Sequence, residues 1–349
     1  MKLKLPAESD FPADGRPVEQ LDFLINWGVL APSSHNSQPW LFIRHDNHVA
    51  IHADRTRALP VVDPHDRELS ISCGCALMYM RVAAAHFNVP VKVYRNPEDG
   101  SDLLANLYFD EDAPPQQALS ELFEYLPRRV TNRFPYVEGS VSDEQMAALA
   151  EVCATHRVTL RAYHDDTSRH ALADRIAEAD VQQMASKTYR RELASWLHHN
   201  RSRSRDGMPG FTQGMNEFAS LAAPIAIRTF DVGEGQAARD RELAEHSPAL
   251  CIIGTNKDHH TDWVRTGEAL AQLLLVATRE GLSASFLNQP IEIDRLRADL
   301  AKHVGVRFPQ ILLRLGKPTR EARHTPRRPA SEVTVDAGEH EEYQVFQGF

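Results

Sequence analysis

At 349 residues, 42% of them hydrophobic and 25% charged, the chain is long enough for two lobes around a large buried core, which excludes a globally disordered protein. Its formal charge of −9 excludes a general attraction to nucleic acid or anionic membrane, and no stretch reaches membrane-spanning length. With no apolar signal-peptide core near the N-terminus and only four cysteines, a cytoplasmic chain with reduced thiols is expected.

Residues 1–17 are polar, carry Pro6, Pro12 and Pro17, and read as an extended arm. Leu21, Leu24, Ile25 and Val29 recur at helical spacing, predicting a helix over 18–30. Ala31 to Trp40, APSSHNSQPW, is a helix-to-strand loop in which Pro32 and Pro39 fix φ. Its Ser33, Ser34, Asn36 and Gln38 offer donors and acceptors that suit a planar, polar-edged ligand, although the same residue types also build ordinary turns. Strands are expected at 40–45 and 49–53. Ser70 or Ser72 is expected to cap an apolar helix over 73–87 that Asn88 stops, and strands at 91–94 and 103–109 end the first half.

Pro114 and Pro115 mark a linker, and a helical pattern over 116–126 ends at Pro127. After PRRVTNRFPY at 127–136, Ser142 stands three residues before Gln145 as in a capping box and opens a helix. A strand at 158–163 and one or two amphipathic helices over 168–196 follow. Residues 198–218, rich in Arg, Gly and Ser, read as a lid or excursion. Strands are expected at 225–230 and 250–254, separated by a polar helical piece. An apolar helix over 263–280 closed by Gly281 and strands at 284–287 and 310–315 complete the chain. The halves repeat each other: Gly74, Ala76, Leu77 and Ala84 fall on Gly267, Ala269, Leu270 and Ala277, and Asn88 falls on Gly281. EQLDFL from Glu19 likewise matches EQMAAL from Glu144, so a duplicated α+β unit is expected.

Some patterns are decoys. VGEGQAA from Val232 mimics a dinucleotide-binding turn, yet the QAARDRELAEH that follows is polar nearly all round and does not suit a helix packed on a sheet. The adjacent pairs His198-His199 and His259-His260 lack the spacing that puts two ligands on one helix face, so no metal site is expected. Ser34-His35 is no nucleophile and base, and Gly-x-Ser-x-Gly is absent.

APSSHNSQPW resembles the loop of the FMN-dependent nitroreductase family, where a helix ends and the chain wraps the flavin. RRVTNRF resembles the opening motif of the same family, in which two basic residues, a Ser and a further Lys or Arg precede an aromatic. The family takes these parts from two subunits; here one chain carries both, as in the fused Acg-type subgroup. The resemblance spans about Val18 to Val335. It implies an α+β nitroreductase-like fold, two similar lobes in one chain forming a pseudo-dimer that acts as a monomer, and one complete FMN site. The expected units are an arm (1–17), a first lobe (18–112), a linker and helix (113–127), a second lobe (128–335) with the excursion, and a tail (336–349).

For the site, the resemblance implies that Ser33, Ser34, Asn36, Gln38 and Pro39 wrap the flavin, with Asn36 and Gln38 at the ring edges. Arg128 and Arg129 hold its phosphate, joined by Arg327 and Arg328, because guanidinium forks pair with phosphate in a bidentate way. Ser285, Asn288 and Gln289 lie along the N5 and O4 edge. Two departures stand out: Val130 replaces the Ser, and Asn132 replaces the Lys or Arg, which lowers the positive charge near the pyrimidine. No side chain is expected to be catalytic, the chemistry being carried by FMN. The implied activity is NAD(P)H-dependent two-electron reduction of a small electrophile such as a nitroaromatic or quinone. The alternative is a flavin-sequestering protein whose lid, with Met208, Phe211 and Met215, covers the ring.

Overall fold

The structure, a computed structural model, describes residues 5–96, 98 and 100–339; the first four residues of the expected arm and the expected tail from residue 340 lie outside the described residues. Helix α1 (Pro17–Gly28) begins on a proline, whose missing N–H costs nothing in the first turn, and buries Leu21, Leu24 and Ile25. After the polar loop come β1 (Trp40–Arg44), β2 (His48–Ala53), α2 (Arg67–His86), β3 (Val91–Arg95) and β4 (Leu103–Phe109). These strands pair antiparallel in the order β1-β2-β4-β3.

The single turn α3 (Gln117–Ser120) crosses to the second lobe. There α4 (Asp143–Thr155) opens on its capping box, with Gln145 N donating to Ser142 Oγ at 3.2 Å and Ser142 N to Gln145 Oε1 at 3.1 Å. Then come β5 (Thr159–Tyr163), α5 (Asp166–Ala185), α6 (Lys187–Trp196), the short β6 (Leu197–His198) and β7 (Met208–Pro209), α7 (Glu217–Thr229) and α8 (Gly233–Glu245). The chain ends through β8 (Ala249–Thr255), α9 (His260–Arg279), β9 (Ser283–Phe286), α10 (Asp294–Val304), β10 (Phe308–Gly316) and β11 (Thr334–Asp336). The second sheet has the order β5-β8-β10-β9, again antiparallel. Strand β11 returns to the first sheet, parallel to β1 with Thr334 opposite Phe42. The segment expected to finish the second lobe therefore belongs to the edge of the first.

Three element expectations are corrected, and a fourth is narrowed to one of its two alternatives. Helix α2 starts at Arg67, not near 73, because Ser70 and Ser72 bond back to the Asp66 and Glu68 carbonyls inside the helix, both at 2.8 Å, instead of capping it. Residues 225–230 are not a strand: Asn216 caps α7 by accepting from Ala219 N at 2.9 Å, and the helix carries this apolar run, with Ile225 and Phe230 exposed. The pattern over 116–126 breaks into α3 and a 3-10 turn at Phe123–Tyr125. The run over 168–196 is two helices, divided where Ser186 caps α6.

Helices α2 and α9 pack against each other between the lobes, with α1 against α2 and α4 against α9. Their crossing is tight because both carry glycine there. A Cβ on Gly74 would stand 2.2 Å from the Val264 carbonyl oxygen, and one on Gly267 would stand 2.0 Å from that of Ile71. The repeat that aligns Gly74 with Gly267 also aligns Ile71 with Val264, so the contact is reciprocal, as across a two-fold axis. Both helices stop alike: Asn88 and Gly281 take positive φ, and Val89 N and Leu282 N each donate at 2.8 Å to the Ala84 and Ala277 carbonyls.

Candidate functional site

Beside this crossing lies a cavity of about 270 Å³ between the lobes. The first lobe contributes Pro32 to Asn36 and Glu68, Ile71, Ser72 and Cys75 of α2. The second contributes Arg129 to Thr131, Arg133, the Ser285 to Gln289 stretch that ends and follows β9, and a far wall from α5, α6, α8 and the excursion. Arg323 to Thr325 and Arg327, on the way back to β11, close one end.

The polar loop is backbone-strained: His35, Asn36 and Gln38 all have φ between 51° and 55°. Asparagine tolerates this conformation, but histidine and glutamine do so rarely, so the surroundings must enforce it. Gln38 N donates to Ser33 Oγ at 3.0 Å, and Ser34 Oγ donates to Glu68 at 2.5 Å. Burial pushes the His35 imidazole down to about 4, so it lines the cavity as a neutral group at neutral pH.

Three guanidinium groups line the cavity with hydrogen-bonding capacity to spare. Arg129 is 6% exposed and its Nε has no partner. Arg327 donates to Asn36 Oδ1 at 2.8 Å and to the Leu30 carbonyl at 3.3 Å, leaving its Nε unpartnered. Burial, with repulsion from Arg129, brings its pKa down to about 9, so it stays charged at neutral pH. Arg133 is drawn down to about 10, by burial first, and also remains a cation. Sequence reasoning missed Arg133, because the family spacing directs attention to Asn132; the one signal is its place immediately before Phe134.

The expected site residues divide. Ser33, Ser34, Asn36, Arg129, Ser285, Asn288, Gln289 and Arg327 come together around the cavity. Gln38, Pro39, Arg128, Asn132 and Arg328 do not line it. Arg128 points to solvent, pairing with Glu124 at 2.8 Å and lying over the Tyr125 ring. Asn132 spends its amide on backbone groups, accepting from Phe134 N of its own turn at 3.1 Å and donating to the distant Arg320 carbonyl at 2.8 Å. Gln38 bridges to the Arg205 carbonyl at 2.8 Å and accepts from Arg328 N at 2.8 Å; the Arg328 side chain donates to the Glu332 carbonyl at 2.8 Å. The Pro39 carbonyl accepts from Asp54 N at 3.0 Å.

Asn36 faces the cavity, but its side chain ties the excursion down instead of standing free for a ring edge. Its Nδ2 donates to the Gly207 carbonyl at 3.0 Å, and Gly207 N returns a bond to the Asn36 carbonyl at 3.2 Å. Asp206 bonds Arg57, and Met208 and Met215 reach the cavity wall. Phe211 does not; it carries Arg323 4.1 Å over its ring.

The turn at Val232 follows helix α7 and leads into α8, which packs on α5, so no strand precedes it and the dinucleotide reading stays rejected. The polarity of α8 is not all turned to solvent, since Gln236, Arg239 and Asp240 line the cavity. The four cysteines are free and buried, and burial holds the Cys75 thiol up at about 12, which rules it out as a thiolate nucleophile. Among the described residues, no cluster of three or more His, Cys, Asp or Glu could hold a metal, and no helix is long and apolar enough to cross a membrane.

No family model matches the chain. "Putative NAD(P)H nitroreductase Rv3131" of Mycobacterium tuberculosis H37Rv is 31% identical over 324 residues, covering 90% of this chain and 91% of that one. From the same strain, "Putative NAD(P)H nitroreductase acg" is 29% identical over 311 residues, covering 87% and 91%. "Probable NAD(P)H nitroreductase PigM" of Serratia sp. is 24% identical over 336 residues, covering 89% and 91%. Among solved structures, the FMN-dependent nitroreductase NfnB of Mycobacterium smegmatis in complex with NADPH is 18% identical with a TM-score of 0.39, covering 62% of this chain and 98% of its own. The chain belongs to the NAD(P)H nitroreductase family. Within it, this protein is of the Acg type, with two nitroreductase-like lobes in one chain.

Proposed function

We propose that this chain binds one FMN in the cavity and uses NAD(P)H to deliver two electrons to a small electrophile such as a nitroaromatic or quinone. The observation that carries the reading is the convergence of Arg129, Arg133 and Arg327 on a cavity faced by the polar loop of the other lobe, with the Nε atoms of Arg129 and Arg327 buried and unpartnered among the described residues. Crowded, desolvated cations favour an anionic ligand, and FMN, with a phosphate at one end and an electron-rich ring edge at the other, suits them. Arg129 and Arg327 are the phosphate holders. Arg133 supplies the second positive centre that Asn132 lacks. When bound, FMN supplies the redox chemistry; the chain binds, orients and screens it.

We read the two lobes as a pseudo-dimer within a monomer, and residues 198–218 as a lid on its single site. The second reading, a flavin-sequestering protein with little turnover, is favoured by one observation: the Asn36–Gly207 bonds and the Arg57–Asp206 pair tie the lid to the polar loop. The test is flavin released per chain, followed by anaerobic NAD(P)H titration. A ratio near one with bleaching supports the oxidoreductase, a ratio near one without bleaching supports sequestration, and a ratio near two or zero defeats the single-site reading.

A further inference from the structure

The cavity wall also holds two acids to which the FMN-binding reading gives no role. Asp180 of α5 and Asp240 of α8 both line the cavity, at 3% and 7% exposure. Gln289 stands between them, its Nε2 donating to Asp180 Oδ1 at 3.2 Å and to Asp240 Oδ2 at 2.8 Å. Gln236 adds a second bond to Asp240 Oδ2 at 2.8 Å. Asp180 Oδ2 is buried and has no partner.

The surroundings of the two acids differ. Asp240 faces the cations Arg239 on its own helix, Arg314 of β10, and Arg133. Asp180 faces Asp240 and the Gln289 amide, while Tyr189 of α6 and Glu292 bring no positive charge. Two carboxyls across one amide in a desolvated wall do not both ionise, and the one without a cation keeps the proton. We propose that Asp180 is the acid that gives a proton, from Oδ2, to the acceptor reduced in this cavity, with Asp240 and Gln289 as its positioning residues. Burial and the neighbouring Asp240 raise the Asp180 carboxyl to about 8, which keeps it protonated at neutral pH.

The inference rests on the reductase reading and closes its proton balance. A quinone becomes a hydroquinone by gaining one hydride, supplied by NAD(P)H through the cofactor, and one proton. The O–H bond of Asp180 breaks as the O–H bond of the hydroquinone forms, and the carboxylate recovers its proton from solvent. A one-electron acceptor such as ferricyanide needs no proton and so does not need Asp180.

The experiment uses full-length FMN-loaded protein, wild type and D180N, with the two half-reactions followed separately by anaerobic stopped flow. Bleaching by NAD(P)H and reoxidation by ferricyanide are expected to change by less than about twofold, while reoxidation by a quinone slows on the order of a hundredfold. Wild-type reoxidation by quinone should fall with a midpoint near pH 8, and that limb should vanish in D180N. Independently of turnover, the wild-type-minus-D180N infrared difference spectrum at neutral pH should contain a carboxylic-acid band sensitive to D2O, apart from the band of the buried Glu292 that both proteins share. Equal slowing with quinone and ferricyanide, or no slowing, overturns the inference while leaving the reductase reading intact. Absence of that band from the difference spectrum also overturns it, with D180E, whose band should shift and not vanish, replacing D180N where the latter does not fold. Wild type that NAD(P)H never bleaches overturns both.

Discussion

The α2–α9 crossing has two flanks, and the repeat lets them be compared position by position. On one flank Ile71, Ser72, Cys75 and Tyr79 of α2 lie toward the cavity and its arginines. The aligned residues on α9 are Val264, Arg265, Glu268 and Gln272, where the structure has only a surface groove. Glu268, fully buried, takes Arg81 at 2.7 Å and Arg95 at 2.6 Å, Gln272 bonds His156 at 2.7 Å, and Arg81 donates to Gln116 at 2.9 Å. The connecting loops differ as well: residues 29–39 between α1 and β1 hold the polar loop, whereas only residues 156–158 separate α4 from β5. Among the described residues, Arg129 and Arg327 have no carboxylate partner on one flank, whereas on the other Arg81 and Arg95 share the buried Glu268, although the Arg81 Nε is itself unpartnered. The proposed ligand site and a structural ion cluster thus occupy equivalent ground, and the difference turns on whether the carboxylate is supplied by the chain.

The largest effect that breaks this comparison is on Glu268. Removing one member of a buried charge cluster leaves the rest uncompensated, so E268A should destabilise the protein by about 3–5 kcal/mol in denaturant unfolding. A loss under about 1 kcal/mol would show that the second flank is not held by this cluster.

Next comes Arg129, the counterpart cation on the open flank. R129A should weaken FMN by about 1.5–3 kcal/mol, the worth of a charged hydrogen bond, and leave riboflavin, which has no phosphate, nearly unaffected. R265A, on the closed flank, should change neither. Equal losses for both flavins with R129A would put Arg129 somewhere other than the phosphate.

Asp180 sharpens the contrast between a compensated carboxylate and one that is not. Its folded pKa, about 8, lies above the unfolded value near 4, so the folded state holds a proton that the unfolded state has lost. Stability from this group is therefore full below about pH 4 and declines by about 1.4 kcal/mol per unit as pH rises toward 8. D180N should remove that slope and raise the melting temperature relative to wild type at pH 8 but not at pH 4. An unchanged difference across that range would mean that Asp180 is ionised in the fold.

Much of this was legible in the chain. The spacing of Gly74 and Gly267, the capping box at Ser142 and the stops at Asn88 and Gly281 are local signals, and each appears in the structure as the sequence suggests. Strand β11 was not legible, since its parallel partner β1 lies nearly the whole chain away and three residues carry no periodicity. Asp180 and Asp240 were missed because, on polar helices, acids facing a polar cavity look the same as acids facing water. Arg128 and Gln38 show the opposite error: a motif gives residue types, but only packing says which way a side chain turns.

The smallest expected effect concerns residues 198–218, proposed above as a lid, which contribute Met208 and Met215 to the cavity wall on one flank. Asp206 ties this segment to Arg57, and hydrogen bonds from His198 first, then Ser204 and Arg57, hold the Asp206 carboxyl well below the usual carboxylate range. A depressed carboxyl contributes its stabilisation above the unfolded pKa and loses it only as pH falls below that, so the tether is constant through neutral pH. A partly exposed ion pair is worth about 0.2–1 kcal/mol, so D206N should loosen the lid modestly. The expected readout is NAD(P)H bleaching that is on the order of two- to fivefold faster in D206N at pH 7. Wild type should approach the mutant rate only in strong acid, with retained FMN as the control. Bleaching that is equally slow in both would place the block elsewhere than in lid opening. Fast bleaching in the intact protein would mean that the bonds between the lid and the polar loop do not restrict access to the flavin.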